Sequence, residues 1–290
     1  MRFADIGQQL RAYRLESGLR AEEIAARLGV SRAALYRYEK GEVIKLDTIR
    51  RLAELLKISP LSLLGIGVEY FARPIAFMER LRQVEEQADQ LLLVGGALCY
   101  QVTTDAFDGA VGEAWTEAAD STTDRLQARA SADQALGLLA ARKRLYQARK
   151  PTIIAILGEA ALRRFLAEGV AAGLQVPERT RLRCIAAARS EAEALAAMIE
   201  SAPIGVQIGL AAGTEPSGGF MLLRGRDRAP VIAFPFPADT PPNGGLGVGS
   251  ITAADEAVAA HQRVAEAAWR NALKGAPAAA RVRELIKAAG

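Results

Sequence analysis

Between residues 5 and 64 the chain is written in short helical phrases, each opened or closed by glycine or by Ser-Pro. "IGQQLRAYRLES" spaces Ile6, Leu10 and Tyr13 along one helical face and stops at Gly18. "AEEIAARL" sets Ile24 and Leu28 four apart and stops at Gly29. Ser31 is placed to cap a third helix, which turns Leu35 and Tyr38 inward and ends at Gly41. "LDTIRRLAELLK" stacks Ile49, Leu52, Ala53 and Leu56 on one face after Asp47, and "SPLSLLG" opens a fifth helix with Ser59 as cap and Pro60 at its first position. Phrases this short are marginal as isolated helices, so they must bury their apolar faces against one another. An all-α five-helix unit follows, of about the smallest size that folds unaided.

The full length of 290 residues exceeds one compact domain, so a second unit is expected. "GIGVEYFARP" reads as the joint, dividing the chain into 1–67 and 68–290. Beyond it, "IAFMERLRQVEEQADQLL" spaces Phe77, Leu81, Val84, Ala88 and Leu91 as the stripe of one helix, too short for a free-standing coiled coil. Strand-like runs follow at 91–98, 152–157, 204–210, 219–223 and 229–234. Alanine-rich helical stretches at 105–119, 124–148, 159–172, 178–201 and 253–273 alternate with them, and "AAARVRELIKAA" closes the chain as a helix. "GFMLLRGRDRAPVIAF" predicts an antiparallel hairpin with a charged turn. The expected body is an α/β domain with a mixed sheet of about five strands.

Charge separates the two units. Residues 1–67 carry 12 Lys and Arg against 8 Asp and Glu, whereas residues 68–290 carry 25 of each, so the whole net charge of +4 sits on the small unit. A basic module on a neutral body points to a polyanionic partner for the module alone. With Leu35 and Tyr38 turned inward, Ala33, Tyr36, Arg37 and Lys40 fall on the opposite face at i, i+3, i+4 and i+7, with Arg32 at the exposed amino end. One α-helix fits the major groove of DNA, where arginine can donate two hydrogen bonds to guanine and alanine permits close approach to a thymine methyl. The preceding helix, entered at Arg20, would cross the phosphate backbone.

"LRAEEIAARLGVSRAALYRYEKG" followed by "LDTIRRLAELLKISPLSLL" resembles the helix-turn-helix of the XRE family, the group of phage Cro and repressor proteins. Ala25, Gly29, Val30, Ser31, Glu39 and Gly41 stand in that family's pattern across residues 5–64. The resemblance implies base-reading positions at Arg32, Ala33 and Arg37, and DNA-backbone contacts from Arg20, Ser31, Lys40 and Lys45. It also implies a structural ion pair of Arg14 with Glu39, tying the first helix to the third. The family commonly has Gln where this chain has Ala21, so Arg20 or free amides must supply that anchor. One such module buries too little surface for tight specific binding, so a homodimer on paired half-sites of double-stranded DNA is expected.

The larger unit is expected to sense a small-molecule effector or another signal for a DNA-binding transcriptional regulator, with repression as the expected sense. The alternative is an antitoxin-like repressor whose large domain binds a protein partner. "ARKRLYQARKPTIIAILGEAALRRFL" and "IESAPIGVQIGLAAGTEPSGGFMLLRG" are faintly similar to the uncharacterised domain found behind such regulators in actinobacteria, through Glu159, Ala160, Ala161, Leu162 and Arg163. Candidate ligand groups are Glu159 and Arg163, where a helix follows an apolar strand, and Gly245, Gly247 and Gly249 of "PPNGGLGVGSITAADEA". In that stretch Thr252 and Asp255 are spaced as a capping box.

Catalysis is not expected. The single histidine, His261, has no nucleophile or carboxylate at a recognisable spacing, and there is no Walker loop, zinc signature or nucleophile elbow, so neither a metal nor a cofactor is expected. Cys99 and Cys184 match no metal or disulfide spacing and read as buried thiols. The start "MRFADIGQQLRAYR" lacks an apolar signal core, and stretches such as "QLLLVGGAL" fall far short of the roughly 20 residues that span a bilayer. A cytoplasmic protein without membrane contact is the expectation.

Overall fold

The computed structural model describes residues 3–64, 67–170, 172–213, 215, 218–226, 229–234 and 247–289. The amino-terminal unit is five helices, α1 (Phe3–Ser17), α2 (Ala21–Leu28), α3 (Arg32–Glu39), α4 (Leu46–Leu56) and α5 (Pro60–Leu63). Leu10, Ile24, Leu35, Leu52 and Leu63, one from each helix, are fully buried together. The turn between α2 and α3 needs Gly29, whose φ of 70° is left-handed and costs a residue with a Cβ about 1 kcal/mol or more. Its amide and that of Val30 close the end of α2 on Ala26 and Ala25, and the Ser31 hydroxyl then accepts from the Ala34 amide at 3.1 Å to start α3.

The remaining elements are β1 (Val68–Phe71), α6 (Pro74–Glu85), β2 (Ala88–Val94), α7 (Asp105–Asp120), α8 (Arg125–Arg149), β3 (Thr152–Gly158), α9 (Glu159–Glu168) and α10 (Glu178–Ser201). After them come β4 (Val206–Ala211), β5 (Phe220–Gly225), β6 (Val231–Ala233), β7 (Gly249–Thr252), α11 (Asp255–Asn271), β8 (Leu273–Lys274) and α12 (Gly275–Ala288). They form one mixed sheet of eight described strands, in the order β1-β7-β6-β5-β2-β3-β4-β8. β2, β3 and β4 run parallel, and every other pairing is antiparallel.

Each strand alternates between two cores, as a sheet buried on both faces requires. Leu91, Ile153, Leu157, Met221 and Leu223 face a thick helical layer that includes α6, α10 and α12. Leu92, Val94, Ile156, Phe220 and Leu222 face the opposite side, where α11 is the covering helix among the described residues. α11 therefore keeps most of its surface in solvent, with only Ala265 fully covered.

The sheet corrects the expectation of about five strands. The five expected runs are β2 to β6, and the additional β1, β7 and β8 are two to four residues long. Strands so short carry too little alternation to be seen locally, because long-range pairing creates them. β1 occupies the stretch read as a joint and pairs with β7 in the stretch read as a glycine-rich loop. A second correction concerns the helix expected to run through Ala88 and Leu91. α6 ends at Glu85, and both residues lie in β2. They face inward three residues apart because the β2–β5 register shifts between Ala88 and Gln90, and such a bulge imitates helical spacing.

The two units share a seam rather than a free linker. α1 lies along α6, and Gln9 of α1 donates to Glu69 of β1 at 3.0 Å. The buried carboxylate of Glu69 also receives a two-pronged contact from Arg80 of α6, at 2.7 and 2.9 Å. Arg11 pairs with the buried Glu79 at 2.9 Å, and the Glu16 carboxylate accepts from the amides of Ala72 and Arg73. α6 is thus buried on two sides, with Phe77, Met78 and Leu81 inside the body and Glu79, Arg80 and Gln83 in the polar seam region.

Candidate nucleic-acid interface

α3 turns Ala34, Leu35 and Glu39 into the bundle and leaves Arg32, Ala33, Arg37 and Lys40 exposed. Tyr36 is half-buried between them. The Arg32 guanidinium lies over its ring at 5.3 Å and donates to its hydroxyl at 3.2 Å. Arg32 also pairs with Glu22 of α2 at 2.7 Å, and Arg37 pairs with Glu42 at 3.0 Å. All four charged side chains are more than half exposed, 59 % and 54 % for Arg32 and Glu22, 56 % and 53 % for Arg37 and Glu42. Pairs in that setting are worth about 0–1 kcal/mol each and yield readily to a stronger anion. The α3 surface is therefore a cationic face lightly held by its own acids.

Around it, Arg20, Ser31 and Lys45 are exposed, at the entry to α2, the cap of α3 and the entry to α4. The Ser31 oxygen is used by the cap, yet its O–H remains able to donate. Arg20 forms part of the α2 start: its amide donates to Glu23 at 2.8 Å and its side chain pairs with the same carboxylate. Glu23 thus satisfies the Arg20 amide, but the guanidinium carries no acceptor atom and the first amides of α2 receive no side-chain cap, while Ala21 behind it is buried in the bundle.

Arg14 donates from Nε and Nη2 to the two oxygens of Glu39, at 2.5 and 3.0 Å. This bond joins α1, which is docked on the body, to the last turn of α3. Glu39 is 8 % exposed, so its charge depends on that partner. α3 thus combines a cationic outer face, a satisfied cap and an inner end tied to α1.

The ligand residues expected in the body are scattered. Glu159 receives Arg281 of α12 at 2.7 and 3.0 Å and Arg163 at 2.6 and 3.1 Å. Those guanidiniums, Arg281 first, hold its carboxyl below the ordinary range. Glu159 staples α9 to Arg281 of α12, Arg163 holds the same carboxylate from within α9, and neither is among the residues lining the cavity at the end of β2. Gly249 begins β7, where an added Cβ would come within 2.4 Å of the Phe77 ring, so its role is close packing. Gly247 precedes that strand, and Gly245 lies outside the described residues. The capping box read from Thr252 and Asp255 is also absent. Thr252 ends β7, donates to the Gly67 carbonyl and accepts from the Ala254 amide.

The sequence reading missed a cavity of about 390 Å³ at the carboxyl end of β2. Its walls are Phe77, Met78 and Leu81 from α6, Leu93 and Met221 from the sheet, and Phe165 from α9, with the backbone of Gly95 and Gly96 at the strand end. The parallel strands β2 and β3 both end on this side of the sheet, and α/β sheets place ligands outside the carboxyl ends of such strands. The Gly-Gly that ends "QLLLVGG" was the available signal. His261 is elsewhere, on α11, with Nδ1 2.8 Å from the Ala257 carbonyl and its ring edge-on to Phe220. Cys99 is buried, which pushes its thiol up to about 12, and burial also raises Cys184. Among the described residues no group of three or more His, Cys, Asp or Glu is placed to hold a metal, and no helix is long and apolar enough to cross a membrane.

Residues 5–63 match the helix-turn-helix domain family, of the XRE type. No curated protein matches this chain.

Proposed function

We propose, from the premise that residues 5–63 are an XRE-type helix-turn-helix domain, that this chain is a sequence-specific DNA-binding regulator of transcription. It acts as a homodimeric repressor, and its α/β body receives a signal without transforming it. The observation that carries the reading is the outer face of α3, where Arg32, Ala33, Arg37 and Lys40 stand exposed in one line above an inner end tied by Arg14 and Glu39.

On this reading α3 lies in the major groove, with Arg32 and Arg37 released from Glu22 and Glu42 to donate to base edges. Arg20, Ser31, Lys40 and Lys45 fall on the sugar-phosphate backbone and set the register. Tyr36 supports Arg32 from beneath, limiting the conformations the guanidinium must give up on binding. Two copies place two α3 helices on half-sites about 34 Å apart, one helical turn of duplex.

The seam explains why an α/β body would be fused to such a module. α6 is both a wall of the body's cavity and the helix on which α1 is docked. A displacement of α6 must move α1 or break the Glu69–Arg80–Gln9 contacts, so the body can bias how two recognition helices are presented.

The test is selection of bound duplexes from a random library by the full-length protein, followed by footprinting. The proposal expects one recurrent, two-fold symmetric site with half-sites a helical turn apart, bound less tightly as salt rises. Recovery of unselected sequence after repeated rounds would overturn it.

A further inference from the structure

The cavity beside β2 is mainly apolar, and its polar groups are unevenly committed. Arg142 lines it but is neutralised, donating to both oxygens of the buried Glu85 at 2.9 Å each. Gln101 also lines it and donates to Glu85 at 2.7 Å. Two lining groups are different. Arg164 of α9 is exposed and, among the described residues, makes no ion pair or hydrogen bond. Tyr100 is 4 % exposed, and its hydroxyl lies beside the Asp108 carboxylate without a well-formed hydrogen bond among the described residues. Among the described residues, no Asp or Glu lines the cavity.

We infer that this cavity binds a small organic anion that is largely apolar, with an alkyl or aromatic body and one carboxylate-like head. The apolar part replaces water against Phe77, Met78, Leu81, Leu93, Met221 and Phe165, and the volume is within the range that holds a compact organic ligand. The head is drawn to Arg164, the one lining cation left without a counter-charge among the described residues. Tyr100 adds an uncharged phenol to the wall, since burial and then the nearby Asp108 charge raise its pKa. A cationic ligand would meet Arg164 with no lining acid among the described residues to offset the repulsion, and a sugar-like ligand would leave most of its hydroxyls against carbon.

This inference rests on the regulator reading for the consequence of binding, not for binding itself, so the two can fail separately. The experiment is calorimetric titration of the full-length protein, without DNA, by decanoate, 1-naphthoate, decanol and decyltrimethylammonium. At least one of the two anions is expected to bind with Kd of about 10–100 µM. Decanol should bind more weakly and the cation more weakly still. Arg164→Gln, at an exposed position that does not endanger folding, should weaken anion binding about tenfold and leave decanol unchanged. Ala97→Trp, which fills the cavity from its lining, should abolish binding of all probes while the melting temperature shows the protein folded. If neither anion binds at millimolar concentration, if the cation binds as well as the anions, or if Arg164→Gln has no effect, the inference is wrong. Retention of anion binding by folded Ala97→Trp would place the ligand elsewhere and equally overturn it. Addition of the bound anion to the protein on its selected duplex then tests the regulator reading on its own.

Discussion

The ring of Phe71 stacks on the ring of Tyr13, with centroids 5.4 Å apart and planes 19° from parallel. Phe71 belongs to the edge strand of the body and Tyr13 to the first helix of the DNA-binding unit. Phe71 also touches Phe77 at 6.4 Å, and Phe77, a wall of the cavity, meets Phe234 edge-on at 5.7 Å. One residue beyond Tyr13, Arg14 holds the end of α3 through Glu39. A contiguous set of buried rings and one ion pair therefore joins the cavity to α3.

Phe71→Leu should loosen that joint without unfolding either unit. The loss of stacking and volume costs about 1–2 kcal/mol. Hydrogen exchange is the measurement: amides in α1 and α6 should exchange faster, while those of α10, which packs on α7 and α12, should not change.

Breaking the polar half of the seam should cost more. Arg80→Ala leaves the Glu69 carboxylate, 7 % exposed, with Gln9 as its one hydrogen-bond donor among the described residues. An uncompensated buried charge costs about 3–5 kcal/mol, a large share of the stability of most proteins. Chemical denaturation should show that loss, and the double variant Arg80→Met, Glu69→Leu should recover much of it.

The acids that hold the α3 arginines should restrain DNA binding. Glu22→Gln and Glu42→Gln each remove an exposed partner worth about 0.5 kcal/mol and a negative charge facing the phosphates. Each should tighten binding to a selected duplex about two- to threefold, as read by fluorescence anisotropy at fixed salt. Weaker binding would mean that these acids order the arginines rather than compete with DNA.

The α9–α12 staple gives a pH dependence with a definite sign. Glu159 is held below its ordinary value, mainly by Arg281, so the folded chain keeps this carboxylate charged where the unfolded chain has begun to protonate. The group therefore stabilises the fold above its unfolded pKa, near 4.5, and the contribution is lost as pH falls through the lower folded value. Arg281→Ala should lower the melting temperature at pH 7 and make the decline towards acid pH shallower than in the wild type.

The amino-terminal unit was legible because its determinants are local. Ile24, Leu28, Ile49, Leu52 and Leu56 are buried at the spacings that marked them, and Gly29 and Ser31 build the turn from their own backbone and hydroxyl. In the body, the helices α7 to α12 were legible from their alanine-rich stretches, and a strand was legible only where it carries its own apolar run, as in β3. β1, β7 and β8 exist through partners up to 184 residues distant, as in the pairing of Val68 with Thr252, and no local pattern records that. The same limit hid the cavity, whose walls come from α6, the sheet and α9. Lys143, within a stretch that looks basic in sequence, is 6 % exposed and bonded to Asp108 and the Thr104 carbonyl, so its charge is spent inside the fold.

The measurement that goes most directly to the regulator account is a comparison of duplexes selected by the wild type, Arg32→Ala, Arg37→Ala and Lys40→Ala. Each arginine variant should lose about 1–3 kcal/mol on the selected site and relax preference at its own base positions. Lys40→Ala should weaken all duplexes nearly equally and reduce the steepness of the salt dependence by about one phosphate contact. If both arginine variants select the wild-type sequence with undiminished preference, α3 does not read DNA and the account fails.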